Sequence, residues 1–287
     1  MTLATTADLV ASATARDAAV LAFNVISIEH AEGIAAGAEH AATAVLMQVS
    51  ENTVNFHGGQ VAPLVSACAR IAARSSADIA VHLDHVRDVD LVAEVIDTAS
   101  GLGVSSIMVD AAHLAYLDNV ELTRTFARRA HDVGLWVEAE LGEVGGKDGG
   151  LIQAHAPDAR TDPAEAVDFA KQTEVDGLAV AVGSRHAMTT RDASLDVDLI
   201  AELAARLVVP LVLHGSSGVP DDELRRAVRA GIRKVNVGTA LNVAYTAAVR
   251  DVLAAAPSGV DPRPYLAAGR DAVAATVAEL CRVGDGR

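Results

Sequence analysis

Residues 79–90 read IAVHLDHVRDVD, and the way this stretch is parsed decides the fold. An apolar run from Ile79 ends in His82, Asp84 and His85, and the chain then enters DVDLVAEVIDTASGLG (88–103), with Asp residues at its start and Gly at its end. An apolar run, a polar end and a segment with helix start and stop signals make one strand–helix unit.

The unit recurs along the chain. The other strand candidates are AVLAFNV (19–25), AVLMQVS (44–50), SIMVDAA (106–112), LWVEAEL (135–141), GLAVAVG (177–183), LVLHGSS (211–217) and IRKVNVGT (232–239), which with IAVHLDH (79–85) makes eight. Between neighbours there is room for one helix, as a βα repeat requires. DPAEAVDFAKQTEVDG places Asp162 as N-cap and Pro163 at the first helical position. VPDDELRRAVRAGI has acidic first-turn residues and Gly231 after its last turn. Eight such units predict a (β/α)8 TIM barrel, an α/β fold in one domain over residues 1–287, with a C-terminal helical arm from about 259 to 287. A doubly wound open sheet is the alternative, because strand count alone does not show closure.

Composition narrows the function. Of 287 residues 51% are hydrophobic and 3% aromatic, so the core is built from small branched side chains. The net charge of −15, with no Lys/Arg cluster, argues against nucleic acid as a partner. Cys68 and Cys281 form no C-x-x-C pair, which fits a reducing cytoplasm. The N-terminal stretch has no basic region followed by a long apolar run, and nothing approaches 18 uninterrupted apolar residues. The expectation is a cytoplasmic protein without membrane contact.

Polar residues gather at the strand ends: Asp84-His85, Asp110, Glu138 and Glu140, His186 after the sixth strand, His214-Gly215, and Asn236 with Gly238-Thr239. In a barrel those ends converge on one mouth, where active sites of this fold are built. A lone strand-end His is more often a hydrogen-bonded structural group. Three of them with carboxylates on one edge suit Zn²⁺ or a related divalent ion. LHGSSG and KVNVGT resemble phosphate-holding loops, each followed by a helix whose N-terminus favours an anion. Taken alone, GSSG reads equally well as a tight turn. Metal and phosphate loops together point to a phosphorylated carbonyl compound, whose carbonyl oxygen a metal would polarise towards an enolate.

HLDH, MVDAAH, VEAELGEVGG, the Gly-x-x-His at 183–186, LVLHGSSG and KVNVGT stand in the order found in class II ketose-bisphosphate aldolases, which the chain resembles from AFNV near 22 to DPRPYL at 261–266. The resemblance implies a zinc-dependent (β/α)8 enzyme that reversibly cleaves a ketose bisphosphate into dihydroxyacetone phosphate and an aldehyde. It implies that His85, His186 and His214 hold the catalytic zinc, while Glu140 and Asp110 line a second or alternate metal position. Asp84 is implied as general acid/base at the C4 hydroxyl. Gly183, Gly215, Ser217, Asn236, Gly238 and Thr239 are implied to hold dihydroxyacetone phosphate, with Gln48 and Ser50 as further residues of that pocket. A monovalent cation such as Na⁺ or K⁺ near the phosphate is implied too, as is a homodimer or homotetramer.

Departures from the family pattern concern the mobile loop and the substrate. Where the family has GGxEDG, this chain has GGKDGG: either Asp148 falls on the Glu that moves the proton at C3, with Lys147 in place of an acidic neighbour, or one Glu is deleted and Asp148 aligns with the following Asp, with Glu143 nearby. His186 is followed by Ala187 rather than Gly, and Thr239 by Ala240 rather than an acidic residue. Together with Arg185 and Arg191, the lost carboxylate suggests an altered acceptor aldehyde, although solvated surface positions are the simpler account of both Arg. His82 reads as a structural neighbour, His30, His40 and His131 as surface or packing residues, and His57 and His113 as outer-layer residues. A metal-dependent sugar-phosphate isomerase or epimerase on the same barrel is the rival enzyme, and a non-catalytic scaffold subunit the rival from another class.

Overall fold

The computed structural model describes residues 3–141, 160–184 and 190–284. Eight parallel strands close in chain order: β1 (Val20–Asn24), β2 (Val45–Ser50), β3 (Ile79–Val86), β4 (Ser106–Val109), β5 (Trp136–Leu141), β6 (Gly177–Val180), β7 (Leu211–Leu213) and β8 (Ile232–Val237). Strand β8 returns to β1, with Ala22 opposite Asn236, so the sheet is a barrel and the open-sheet alternative falls. The helices are α1 (Thr6–Ala15), α2 (Ile28–Ala41), α3 (Glu51–Phe56), α4 (Ala62–Ala72), α5 (Val89–Leu102), α6 (Tyr116–Asp132), α7 (Pro163–Thr173), α8 (Val197–Arg206), α9 (Asp221–Ala230), α10 (Thr239–Ala255) and α11 (Arg263–Gly284).

Helix ends follow their sequence signals. Asp88 caps α5 by accepting from the Asp90 N–H at 2.9 Å, and Gly103 leaves the helix at φ 75°. Asp162 accepts from the N–H groups of Ala164 and Glu165, both at 2.9 Å, with Pro163 at the first helical position. Three strands stop short of their apolar runs. Strand β6 ends at Val180 and β7 at Leu213, because Gly183 (φ 114°) and Gly215 (φ 67°) take up left-handed backbone that turns the chain away. A Cβ at Gly183 would also lie 2.5 Å from Ser194 O. Strand β4 ends at Val109, one residue before Asp110.

Alternation along each strand divides the apolar residues into two cores. The larger lies between barrel and helices and includes Phe23, Met47, Leu83, Ile107, Val137 and Val235. The smaller fills the barrel, with Val20, Ala22, Leu46, Ala80, Trp136, Ala179 and Val212. Leu9, Val10 and Ala13 of α1 join that inner cluster, so α1 stoppers the N-terminal end of the barrel. Burying this branched and aromatic surface contributes on the order of 25 cal/mol per Å². At the other end the inward positions turn polar, which places the mouth there.

The C-terminal arm is α11, packed on α2 and α10. Two glycines of α2 permit the approach. A Cβ on Gly33 would stand 2.6 Å from Arg270 O, and one on Gly37 2.5 Å from Ala274 O and 2.7 Å from Val277 Cβ.

Candidate active site

A regular strand sends successive side chains to opposite faces, so Asp84 and His85 should not share a site. Two backbone features bring them together. The pairing of β3 with β4 shifts register between Leu83 and Val86, and His85 adopts left-handed backbone at φ 49°. Such a conformation in a non-glycine residue costs on the order of 1–3 kcal/mol and persists only where its surroundings hold it. Here they do. His85 Nδ1 lies 2.9 Å from Asp110 Oδ2 and 3.8 Å from Glu140 Oε2, and its ring stands edge-on to His214 with centroids 4.6 Å apart.

Asp84, His85 and His214 each offer a ligand atom, and these atoms all lie within 4.8 Å of one another; His85, Asp110 and Glu140 form a second group on the same terms. Nitrogen and carboxylate oxygen donors at this spacing fit a borderline-soft divalent ion. The carboxylates beside the imidazoles fix which nitrogen carries a proton, since an ionised carboxylate only accepts. His85 donates from Nδ1 to Asp110, which also accepts from Arg87 Nε at 3.1 Å. His214 donates from Nε2 to Glu138 Oε1 at 2.8 Å. The lone pairs are thereby set on Nε2 of His85 and Nδ1 of His214.

Asp84 is buried and held from two sides: Gln48 Nε2 donates to Oδ2 at 3.3 Å, and Asn236 Nδ2 donates to Oδ1 at 3.2 Å. Gln48 also donates to Asn24 Oδ1. Behind Asp84, fully buried His82 pairs Nδ1 with Ser106 Oγ at 2.8 Å, and Ser106 meets Thr6 of α1. Burial first, then Lys234, holds the His82 imidazole well below its usual pKa, so it is neutral. Burial alone would raise the Glu138 carboxyl, yet Lys234 and the hydrogen bond from His214 outweigh it and hold the carboxyl far below the usual carboxylate range.

The loops after the last three strands are stitched together beside this cluster. Ser184 Oγ donates to His214 O at 2.6 Å, Ser216 Oγ donates to Asn236 O at 2.5 Å, and Ala240 N donates to Ser217 Oγ at 3.2 Å. Gly215 leads a 3-10 turn at Ser216–Gly218, and Gly238 immediately precedes Thr239, the first residue of α10. A helix start flanked by such loops suits an anion.

Belonging is decided by comparison across the whole chain. A family model described as fructose-bisphosphate aldolase class-II matches residues 4–285. The chain belongs to this family. Such enzymes are metal-dependent lyases that cleave a carbon–carbon bond, which sets aside the scaffold reading. The aldolase is 35% identical over 261 residues to a fructose-bisphosphate aldolase of Geobacillus stearothermophilus, covering 90% of this chain and 88% of that one. Its fold is similar to the YdjI aldolase of Escherichia coli K12, with a TM-score of 0.82 and 28% identity over 98% of this chain and 97% of that one. A putative fructose-1,6-biphosphate aldolase of Coccidioides immitis gives a TM-score of 0.85 and 27% identity over 98% and 96%.

Several sequence expectations find their place and others do not. Asp84, His85, His214, Asp110, Glu140, Gln48 and Asn236 converge at the mouth of the aldolase. Ser50 caps α3, its Oγ accepting from Thr53 N at 3.3 Å. His186 and Asp148, with Glu143, Lys147, Arg185 and Ala187, lie outside the described residues. Arg191 donates to Val219 O at 3.1 and 2.8 Å and pairs with Asp221, so it ties a loop to the start of α9. His30 stacks on Tyr245 with centroids 4.7 Å apart, and His131 pairs with Asp176 at 2.9 Å. Sequence reading did not single out Asn24, Arg87 or Lys234. The signal for Lys234 was its two-residue spacing from Asn236, which puts both on the inner face of β8. Glu138 is related to Glu140 in the same way.

Proposed function

We propose that this aldolase reversibly cleaves a ketose phosphate or bisphosphate to dihydroxyacetone phosphate and an aldehyde, with Zn²⁺ held by His85, His186 and His214. The observation that carries the reading is the convergence of Asp84, His85 and His214 within 4.8 Å beside the loops of β6 to β8. When bound, the metal supplies Lewis acidity at the substrate carbonyl. Glu140 and Asp110, grouped with His85, line a second or alternate metal position.

Asp84 is the general acid/base at the C4 hydroxyl. Cleavage needs that proton removed, and a carboxylate fixed by Gln48 and Asn236 is aimed rather than free to rotate. Asp148 moves the proton at C3 of the three-carbon product, a role that its shorter side chain fills only if the loop closes further than a Glu would require. Gly183, Gly215, Ser217, Asn236, Gly238 and Thr239 hold the phosphate end of the substrate, with Gln48 and Ser50 at the pocket wall and a monovalent cation alongside. Ala240 lacks the carboxylate that the family pattern places after the strand-eight Thr, and this supports an altered acceptor aldehyde. The enzyme works in the cytoplasm as a homodimer or homotetramer.

Metal analysis combined with a coupled assay for dihydroxyacetone phosphate over a panel of ketose phosphates tests the reading. Stoichiometric zinc and release of a three-carbon product are expected, an outcome that a sugar-phosphate isomerase, which conserves carbon number, does not give. Protein purified without zinc that cleaves no panel member would refute it.

A further inference from the structure

Lys234 is an unusual resident of a barrel interior. Its side chain is 0% exposed, and a lysine is almost never fully buried without a specific partner. Two partners hold it. Nζ lies 2.8 Å from Glu138 Oε2 and donates to Asn236 Oδ1 at 2.6 Å. Each partner continues into the active site. Glu138 Oε1 accepts from His214 Nε2 at 2.8 Å, and Asn236 Nδ2 donates to Asp84 Oδ1 at 3.2 Å.

The geometry points to Lys234 as a positioning residue that sets both the metal ligand His214 and the acid/base Asp84 from one buried amine. The proposal rests on the metal and acid/base roles proposed above. Its logic is one of hydrogen-bond polarity. An ammonium only donates, so the Asn236 atom facing Lys234 must be the carbonyl oxygen, and the amide must then offer its N–H to Asp84. Flipped, Asn236 would point its oxygen at a carboxylate and repel it. On the other arm, positive charge beside Glu138 keeps the carboxylate an acceptor on both oxygens, so His214 must carry its proton on Nε2 and keep its lone pair on Nδ1. Carboxylates behind metal-bound histidines act in this way generally, and losing one typically costs 10–100-fold in metal affinity or activity. Here a single cation behind both arms couples ligand orientation to proton transfer.

Lys234→Met keeps the length of the side chain and removes the charge. Zinc affinity is measured by competition with a chromophoric chelator, ligand geometry by the visible spectrum of the cobalt(II)-substituted protein, and turnover at saturating zinc. Lys234→Met is expected to bind zinc roughly 10–100-fold more weakly, to shift the cobalt bands, and to retain a kcat at least about tenfold below wild type once zinc is saturating. The last readout isolates the Asp84 arm, because saturation cancels weaker binding. An unchanged zinc affinity and cobalt spectrum, or an unchanged kcat at saturating zinc, would overturn the proposal. Should Lys234→Met fail to fold around its uncompensated carboxylate, the double variant Glu138→Gln/Lys234→Met, which removes both charges, is compared with Glu138→Gln alone, and an equal kcat of the two at saturating zinc overturns the proposal. His214→Ala separates the two layers of inference. Zinc binding undiminished in His214→Ala overturns the metal reading and the proposal together, whereas loss of zinc there with an unaltered Lys234 variant overturns the Lys234 role alone.

Discussion

Two glycine-to-alanine substitutions, chemically identical, are expected to change stability in opposite directions. At Gly101, in the last turn of α5, an added Cβ meets nothing within 4 Å. Alanine there removes backbone freedom from the unfolded chain and stabilises by roughly 0.5–1 kcal/mol. At Gly37 the same atom would lie 2.5 Å from Ala274 O and 2.7 Å from Val277 Cβ. Carbon atoms pack best at about 3.5–4.0 Å, so α2 and α11 must separate by close to one ångström. Overpacking of that kind costs about 1–3 kcal/mol, which exceeds the propensity gain. The two variants should therefore differ by about 2 kcal/mol, or roughly 3 °C in Tm for a chain of this size. Thermal unfolding followed by circular dichroism, at fixed protein and zinc concentration, gives both signs in one experiment. A Gly37→Ala protein melting as high as Gly101→Ala would refute the close helix contact, and with it the account of how the C-terminal arm is held.

Asp84→Asn should lower kcat by about 10²–10⁴-fold with zinc content unchanged, read by the coupled assay and metal analysis together, since it removes the proton acceptor but no ligand of the three-histidine set. Asp148→Ala should abolish proton exchange between dihydroxyacetone phosphate and solvent, followed by NMR in deuterated water; full exchange would show that another group moves that proton. Burial pushes the Cys68 thiol up to about 12, so the thiolate that attacks disulfide reagents is scarce at neutral pH. A chromogenic thiol reagent should leave Cys68 untouched in the native protein at pH 8, with reactivity appearing on denaturation. Chelation of zinc should lower Tm, and restoring free zinc to 100 times its Kd should return about 2.7 kcal/mol.

The barrel was legible because its signals are local and repeated: apolar runs, acidic caps such as Asp88 and Asp162, and glycines such as Gly103 and Gly231 after helix ends. The site was legible as a set of residue types at strand ends, but its wiring was not. Strand alternation argues that Asp84 and His85 face apart, and only a register shift with left-handed His85 brings them together, which no residue in HLDH announces. Lys234 read as one more charged residue in a strand, since its burial depends on Glu138, nearly a hundred positions earlier in the chain. The outer-layer role expected of His57 resolved into a bond between its Nε2 and Ile26 O at 2.8 Å on an exposed surface. Such facts are tertiary: spacing can place Lys234 on one strand face with Asn236, but not against Glu138.

The long-range contacts of α1 and α11 have a kinetic consequence. Helix α1 packs against β1, β3 and β8, and α11 packs against α2, with Arg270 paired to Glu32 across 238 positions. Helix α1 thus has no complete seat until β8 arrives, and α2 keeps a bare glycine face until α11 docks. Contacts closing loops of this length must overcome the chain entropy before they return any stabilisation, which slows folding. A nascent chain of this aldolase will hold a growing, unclosed sheet through most of its synthesis. It can pair that sheet's two edges only once β8 has emerged to meet β1.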